Sequence, residues 1–152
     1  MATNDEIVMD IDEDFLEETN VKVLNDYHEK TGKPVYIHTY PDNLALVFPK
    51  VETYGNSGNR EQDLIDKAAC IMAVIPWAQA FDDGNRRTSI TAAGTFLNDN
   101  GYDIGIDTKN ENKELRELLQ EIKKHRRDLE PNLMKQLILY ISERIRKYES
   151  KT

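Results

Sequence analysis

The densest chemistry in this chain lies in ten consecutive residues, Gln79-Ala80-Phe81-Asp82-Asp83-Gly84-Asn85-Arg86-Arg87-Thr88. One apolar helix is expected to end before them and another to start among them. Backbone N–H groups and the helix dipole would then face an incoming anion. Gly84 permits a nest-like turn and lets a phosphate approach the backbone closely. Arg86 and Arg87 add positive charge, and a guanidinium can grip phosphate oxygens in a bidentate fork. Asp83 beside that site is a candidate Mg²⁺ ligand, because Mg²⁺ is usually held by one or two carboxylates together with substrate phosphates. On residue types alone a plainer and commoner reading competes. Asp-Gly-Asn is a frequent turn, and two arginines in a first helical turn are often only a solvated face.

The surrounding elements must position this segment. Before it, residues 61–78 present Leu64, Ile65, Ala68, Ala69, Met72 and Ile75, a wide apolar face that predicts a core helix. After it, a helix is expected to run to about Asn100, where Asn100-Gly101 forms a strong stop. Upstream, Phe15, Val23, Leu24 and Tyr27 fit a helix over residues 11–30, ended by Gly32 and Pro34. Residues 35–40, Val-Tyr-Ile-His-Thr-Tyr, read as a short extended segment, half of a small β-hairpin or flap. Pro41-Asp42-Asn43 offers a cap for a helix of about ten residues carrying Leu44, Val47, Phe48 and Val51. In the last third, Leu115, Leu118, Leu119 and Ile122 mark one helix. Pro131 opens another, with Leu133, Leu137, Ile138, Ile141, Ile145 and Tyr148 on its apolar face. The fold class expected is mainly α, a single domain of about six helices with a small β element. Residues 1–10 are polar and acidic enough for a flexible arm, and residues 11–152 make the domain.

Composition bounds the function. The 152 residues carry 20 Lys and Arg against 28 Asp and Glu, a net charge of −8, which opposes wrapping of nucleic acid through its phosphates. One cysteine excludes an intrachain disulfide and multi-cysteine metal sites, and fits a reducing cytosol. No stretch has the order of a secretory signal, and the most apolar one, residues 68–78, is about half the ~20 residues of a membrane span. A cytoplasmic protein with no membrane partner is expected.

The order of residues in the motif adds what composition cannot. It resembles the signature of the Fic/Doc family, His-x-Phe-x-(Asp/Glu)-Gly-Asn-(Gly/Lys)-Arg, often followed by Thr. Phe81, Asp83, Gly84, Asn85, Arg87 and Thr88 match in register. The helices on either side, and residues 43–55 with Leu44-Ala45, Pro49 and Tyr54, are also similar, so the likeness spans about residues 15–103. The resemblance implies a Fic-like helical domain and a role for each matching position. Phe81 would anchor the loop and Asp83 would coordinate the metal that bridges nucleotide phosphates. Gly84, Asn85, Arg86 and Thr88 would line the phosphate cradle, and Arg87 would clamp a phosphate. It further implies Mg²⁺ and ATP or another NTP as co-substrate. The reaction would be transfer of a phosphate, as in Doc-like death-on-curing toxins, or of a nucleoside monophosphate, to a Ser or Thr hydroxyl of a cytosolic protein such as a translation factor. Such chemistry rests on positioning and electrostatic stabilisation. Residues 33–42 resemble in position the flap that aligns the target's backbone by strand pairing.

Two positions depart from the pattern. Arg86 stands where adenylylating members carry a second Gly and Doc carries Lys, which favours a Doc-like nucleotide orientation and phosphoryl transfer. Gln79 stands at the general-base His. A carboxamide has no accessible pKa and cannot take the hydroxyl's proton, and loss of a positioned base typically costs about 10²–10⁴-fold. The alternative expectation is therefore a catalytically inactive Fic-fold module, its His-to-Gln change natural or engineered, that binds a nucleotide or a partner. The inhibitory Ser/Thr-x-x-x-Glu-Gly/Asn motif of some Fic proteins does not occur in this sequence. Restraint is thus expected in trans, from an antitoxin protein, and a homo-oligomer is compatible with the sequence.

Other polar residues read more plainly. His38, in the flap segment, is a substitute base only against the commoner reading of an exposed histidine. His28 and His125 are expected at the surface, and Trp77 in packing. The basic run from Lys123 to Arg127 reads as a solvated helix end, favoured by the dipole.

Overall fold

The computed structural model describes residues 6–106 and 113–147. Within them are seven helices, α1 (Glu13–Thr31), α2 (Pro41–Leu44), α3 (Val47–Val51), α4 (Arg60–Ala78), α5 (Asn85–Asp99), α6 (Lys113–Lys124) and α7 (Pro131–Ser142). Two short strands, β1 (Tyr102–Asp103) and β2 (Arg146–Lys147), form an antiparallel pair. The fold is mainly α with a small β element, as expected.

Helix α4 is the axis. Its N-cap Asn59 accepts from the Gln62 N–H, and every residue from Ala68 to Pro76 is buried. At about 1.5–3 kcal/mol for each large apolar side chain fully removed from water, Leu64, Ile71, Met72 and Ile75 alone make α4 the main source of core burial. Helices α3, α5, α6 and α7 all pack on it, and α1 packs on α5. Helix α1 is started by the Asp12 carboxylate accepting from the Phe15 N–H at 2.8 Å. It is stopped by Gly32 at φ 71°, whose N–H bonds the His28 carbonyl. Its buried face runs through Leu16, Thr19, Asn20 and Leu24, so two polar residues share the inward stripe with the expected Leu24.

Three expectations change. The helix of about ten residues after Pro41 is two short ones, α2 and α3. Pro49 lies inside the second; it lacks the N–H that would bond Ala45, and its ring crowds that carbonyl. Residues 35–40 are not half of a hairpin; the segment joins the rest through one antiparallel bridge, Thr39 with Phe81. The two-stranded sheet lies elsewhere, pairing Tyr102 with Lys147 and Asp103 with Arg146. Finally, α7 ends at Ser142, and the chain turns at residues 143–144 into β2, so Ile145 is not on a helix. Arg144 secures that turn by stacking 3.6 Å over the Tyr140 ring and donating to the Tyr140 carbonyl. Tyr148 and residues 1–5 of the expected arm lie outside the described residues. Further along that arm, Val8 exchanges two hydrogen bonds with the Asn100 carboxamide.

Candidate functional site

The turn between α4 and α5 is built from backbone that few residues tolerate. Gln79 caps α4 in the left-handed region, at φ 55° and ψ 54°, the only non-glycine with positive φ among the described residues. Its Nε2 donates to the Pro76 carbonyl at 2.5 Å, and its own carbonyl accepts from Asn43 Nδ2 at 3.0 Å. The side chain is thus folded back on its own helix, and α2 holds the backbone. Backbone strain of this kind persists only where surrounding contacts impose it.

Phe81 is 1% exposed and fixes the turn to the core. The Asn85 carboxamide closes the loop on the Phe81 backbone, accepting from its N–H at 3.0 Å and donating to its carbonyl at 2.7 Å. Gly84 is the N-cap of α5 at φ 77°. A Cβ there would sit 2.9 Å from Leu24 Cδ2 and 3.2 Å from Asn20 Nδ2, so α1 leaves no room for a side chain. With no side chain at the cap, the start of α5 is open to an external acceptor.

Asn20 of α1 is a site residue that the sequence reading missed. It is 1% exposed, and its Nδ2 donates to the Asp83 carbonyl at 2.8 Å and the Thr88 hydroxyl at 3.2 Å. It braces the turn from behind. Its only sequence signal is a polar residue on the inward stripe of an amphipathic helix, and that signal does not identify its partner.

In front of the turn is a cleft of about 620 Å³. Gln79, Asp83, Gly84, Asn85, Arg86 and Arg87 line it, whereas Phe81 and Thr88 lie beneath it, both buried. Tyr27 adds an aromatic wall, and the Arg87 guanidinium lies 5.0 Å from its ring centroid, a cation–π contact that aims the charge. Five cations, Lys33, Arg86, Arg87, Arg116 and Lys123, surround the cleft against two carboxylates, Asp82 and Asp83. On a chain of net charge −8 this is a local positive field suited to a polyanion.

The donor set also bears on a metal. Among the described residues no three His, Cys, Asp or Glu side chains converge as a ready-made cage. A cleft with the Asp83 carboxylate, one of whose oxygens accepts from the Gly84 N–H at 2.9 Å, fits a Mg²⁺ ion that arrives with phosphate oxygens as its other ligands.

The cleft's rim carries the extended segment. The Tyr40 N–H donates to the Ala80 carbonyl at 2.8 Å, and the Asp82 N–H donates to the His38 carbonyl at 2.9 Å. The Tyr40 hydroxyl donates to Asp82 at 3.1 Å, and this bond, with the carboxylate's charge, raises the Tyr40 pKa above its ordinary value. His38 stacks edge-on against Tyr40 and is not among the cleft-lining residues. His28 and His125 are exposed, and the Trp77 indole N–H donates to the His125 carbonyl.

A model of the Fic/DOC family matches residues 2–97, nearly two thirds of the chain. This chain belongs to the Fic/DOC family. No curated protein and no solved structure matched it. The family match covers α1 to most of α5, and with them Asn20, Gln79 and the whole turn, but it ends before α6. The cleft of this Fic/DOC-family chain is nonetheless closed by α6, through Arg116, Leu119, Gln120 and Lys123. Lys123, expected in a solvated helix end, is exposed in the last turn of α6 and in addition lines the same cleft as Arg86 and Arg87. Among the described residues no helix is long and apolar enough to cross a membrane.

Proposed function

We propose that this chain is a Doc-like, toxin-type transferase of the cytoplasm that uses Mg²⁺ and ATP or another NTP. It would move a phosphate, or a nucleoside monophosphate, to a Ser or Thr hydroxyl of a cytosolic protein such as a translation factor, under restraint by an antitoxin. The observation that carries this reading is the convergence of Asp83, Gly84, Arg86 and Arg87 on one cleft at the start of a helix. Arg87 would hold a phosphate and Arg86 would occupy the side where Doc carries Lys. The metal, when bound through Asp83, would neutralise phosphate charge. In the transfer, the hydroxyl oxygen bonds to phosphorus, the bond to the leaving phosphate breaks, and the hydroxyl proton must depart. Gln79 can orient that hydroxyl but cannot accept its proton. Transfer by the chain as it stands would then be slow.

The test is label transfer from γ- and α-labelled ATP with Mg²⁺ and cell lysate, by the native chain and by Gln79→His. Transfer should rise about 10²–10⁴-fold in Gln79→His, and Arg87→Ala should remove it. Absence of transfer by both forms, together with no nucleotide binding by calorimetry, overturns the reading.

One observation favours a second reading, a nucleotide- or partner-binding module without turnover. The Gln79 Nε2 is committed to the Pro76 carbonyl rather than directed at a substrate. Nucleotide binding that weakens in Arg87→Ala, with no transfer by either form, would support it; robust transfer by the native chain would exclude it.

A further inference from the structure

Helix α6 divides its side chains among three faces. Leu115, Leu118, Leu119 and Ile122 are buried toward the core. The acidic residues Glu117 and Glu121 are engaged along the helix by Lys113 at 3.8 Å and Lys124 at 3.0 Å. The third face, Arg116, Gln120 and Lys123, lines the cleft. These three follow i, i+4, i+7 spacing and form one stripe. At 1.5 Å per residue the stripe places its two cations roughly 10 Å apart along the helix axis. The start of α5, with Arg86 and Arg87, lines the same cleft, so two separate elements bring cations to it. A single phosphate at the α5 start engages one of them. A chain of phosphates is long enough, and charged enough, to be held by both.

We propose that Arg116 and Lys123 form a second phosphate-binding wall, and that this wall makes the cleft select nucleoside di- and triphosphates over monophosphates. The proposal rests on the nucleotide-binding reading above and assigns to α6, outside the span matched by the family, the recognition of phosphate number. Arg116 would take phosphate oxygens through its planar fork and Lys123 as a point charge. Gln120, between them, offers a neutral donor and acceptor. The outer-face cations Lys113 and Lys124, which do not line the cleft, would contribute nothing specific.

The experiment is calorimetric titration of the full chain with Mg²⁺-ATP, ADP, AMP and inorganic tripolyphosphate. The variants are Arg116→Gln/Lys123→Gln, the charge-matched control Lys113→Gln/Lys124→Gln, and Arg87→Ala. All four α6 positions are exposed, so unchanged melting temperatures are expected for both double variants. The cleft-facing pair should weaken ATP and tripolyphosphate on the order of tenfold or more, as for loss of charge-assisted hydrogen bonds, and AMP by less than about threefold. The control pair should do neither. Equal losses for the two pairs, or equal losses for ATP and AMP, overturn the wall; if Arg87→Ala still removes binding, the functional reading above survives. Losses in the cleft-facing pair with none in Arg87→Ala support the wall and the nucleotide-binding reading but overturn the phosphate role given there to Arg87. No binding of any anion by the native chain overturns both.

Discussion

The turn at residues 79–88 and the extended segment at residues 33–40 meet at the Thr39–Phe81 bridge, yet they are held in opposite ways. The turn is fastened on three sides. Asn20 grips it from α1, Asn43 from α2, and Asn85 closes it on itself. The extended segment is tied near its two ends, at Lys33 to His28 and Thr31 and at His38–Tyr40 to the turn, and between them Tyr36 and Ile37 are 63% and 50% exposed. The contrast bears on the roles proposed above. A phosphate would reward fixed N–H groups and cations placed before it arrives. A protein target, varied in surface, would suit a segment whose middle residues are exposed.

The same kind of substitution should therefore have very different consequences on the two sides of the bridge. Phe81→Ala removes a side chain that is 1% exposed and should cost about 3–5 kcal/mol in urea unfolding. Tyr36→Ala, a comparable aromatic truncation in the exposed arm, should stay within about 0.5 kcal/mol. Similar losses at both positions would remove the distinction between a fastened turn and an exposed segment.

Asn20→Ala probes the brace alone. It leaves the Asp83 carbonyl and the Thr88 hydroxyl without that donor, and should cost about 1–3 kcal/mol. Nucleotide affinity should fall with it, measured by calorimetry, although Asn20 lies behind the cleft and does not line it. An unaltered affinity would mean that the turn holds its shape without α1.

The smallest effect belongs to the tether, and it has a pH signature. The folded-state pKa of Tyr40 is raised by its bond to Asp82, so the protonated hydroxyl is the stabilised form. The contribution is complete below the ordinary tyrosine value of 10.0 and is lost as pH rises through the raised one. Native and Tyr40→Phe chains should differ slightly in melting temperature at neutral pH and converge above that range. A difference that grows with alkalinity would contradict the assignment.

Much of this arrangement was legible before the fold. The limits of α4 and α5 follow closely from an apolar face over residues 61–78 and a stop at Asn100-Gly101, local signals both, while the cap at Asn59 came from the structure. The motif was legible as an ordered string, with Asp83, Gly84 and Arg87 in register. The β1–β2 pair was not, because its two strands have two residues each and stand far apart in sequence, too short for any period to appear. The break between α2 and α3 was written in Pro49, but the apolar spacing of Leu44, Val47, Phe48 and Val51 obscured it.

What the chain determines by itself is the set of chemical groups in one stretch: a glycine turn, two arginines, a carboxylate, and a glutamine at residue 79. Those are properties of neighbours in sequence, and local backbone rules carry them. Only the tertiary structure decided what surrounds them. Asn20 lies 63 residues before Asp83, and Lys123 belongs to a helix whose polar positions look alike until one stripe is turned toward the cleft. Which face of α6 meets the cleft is set by how Leu115, Leu118, Leu119 and Ile122 bury against α4 and α7. Core packing, acting over the whole domain, thereby brought Lys123 of the basic run, with Arg116, to the cleft.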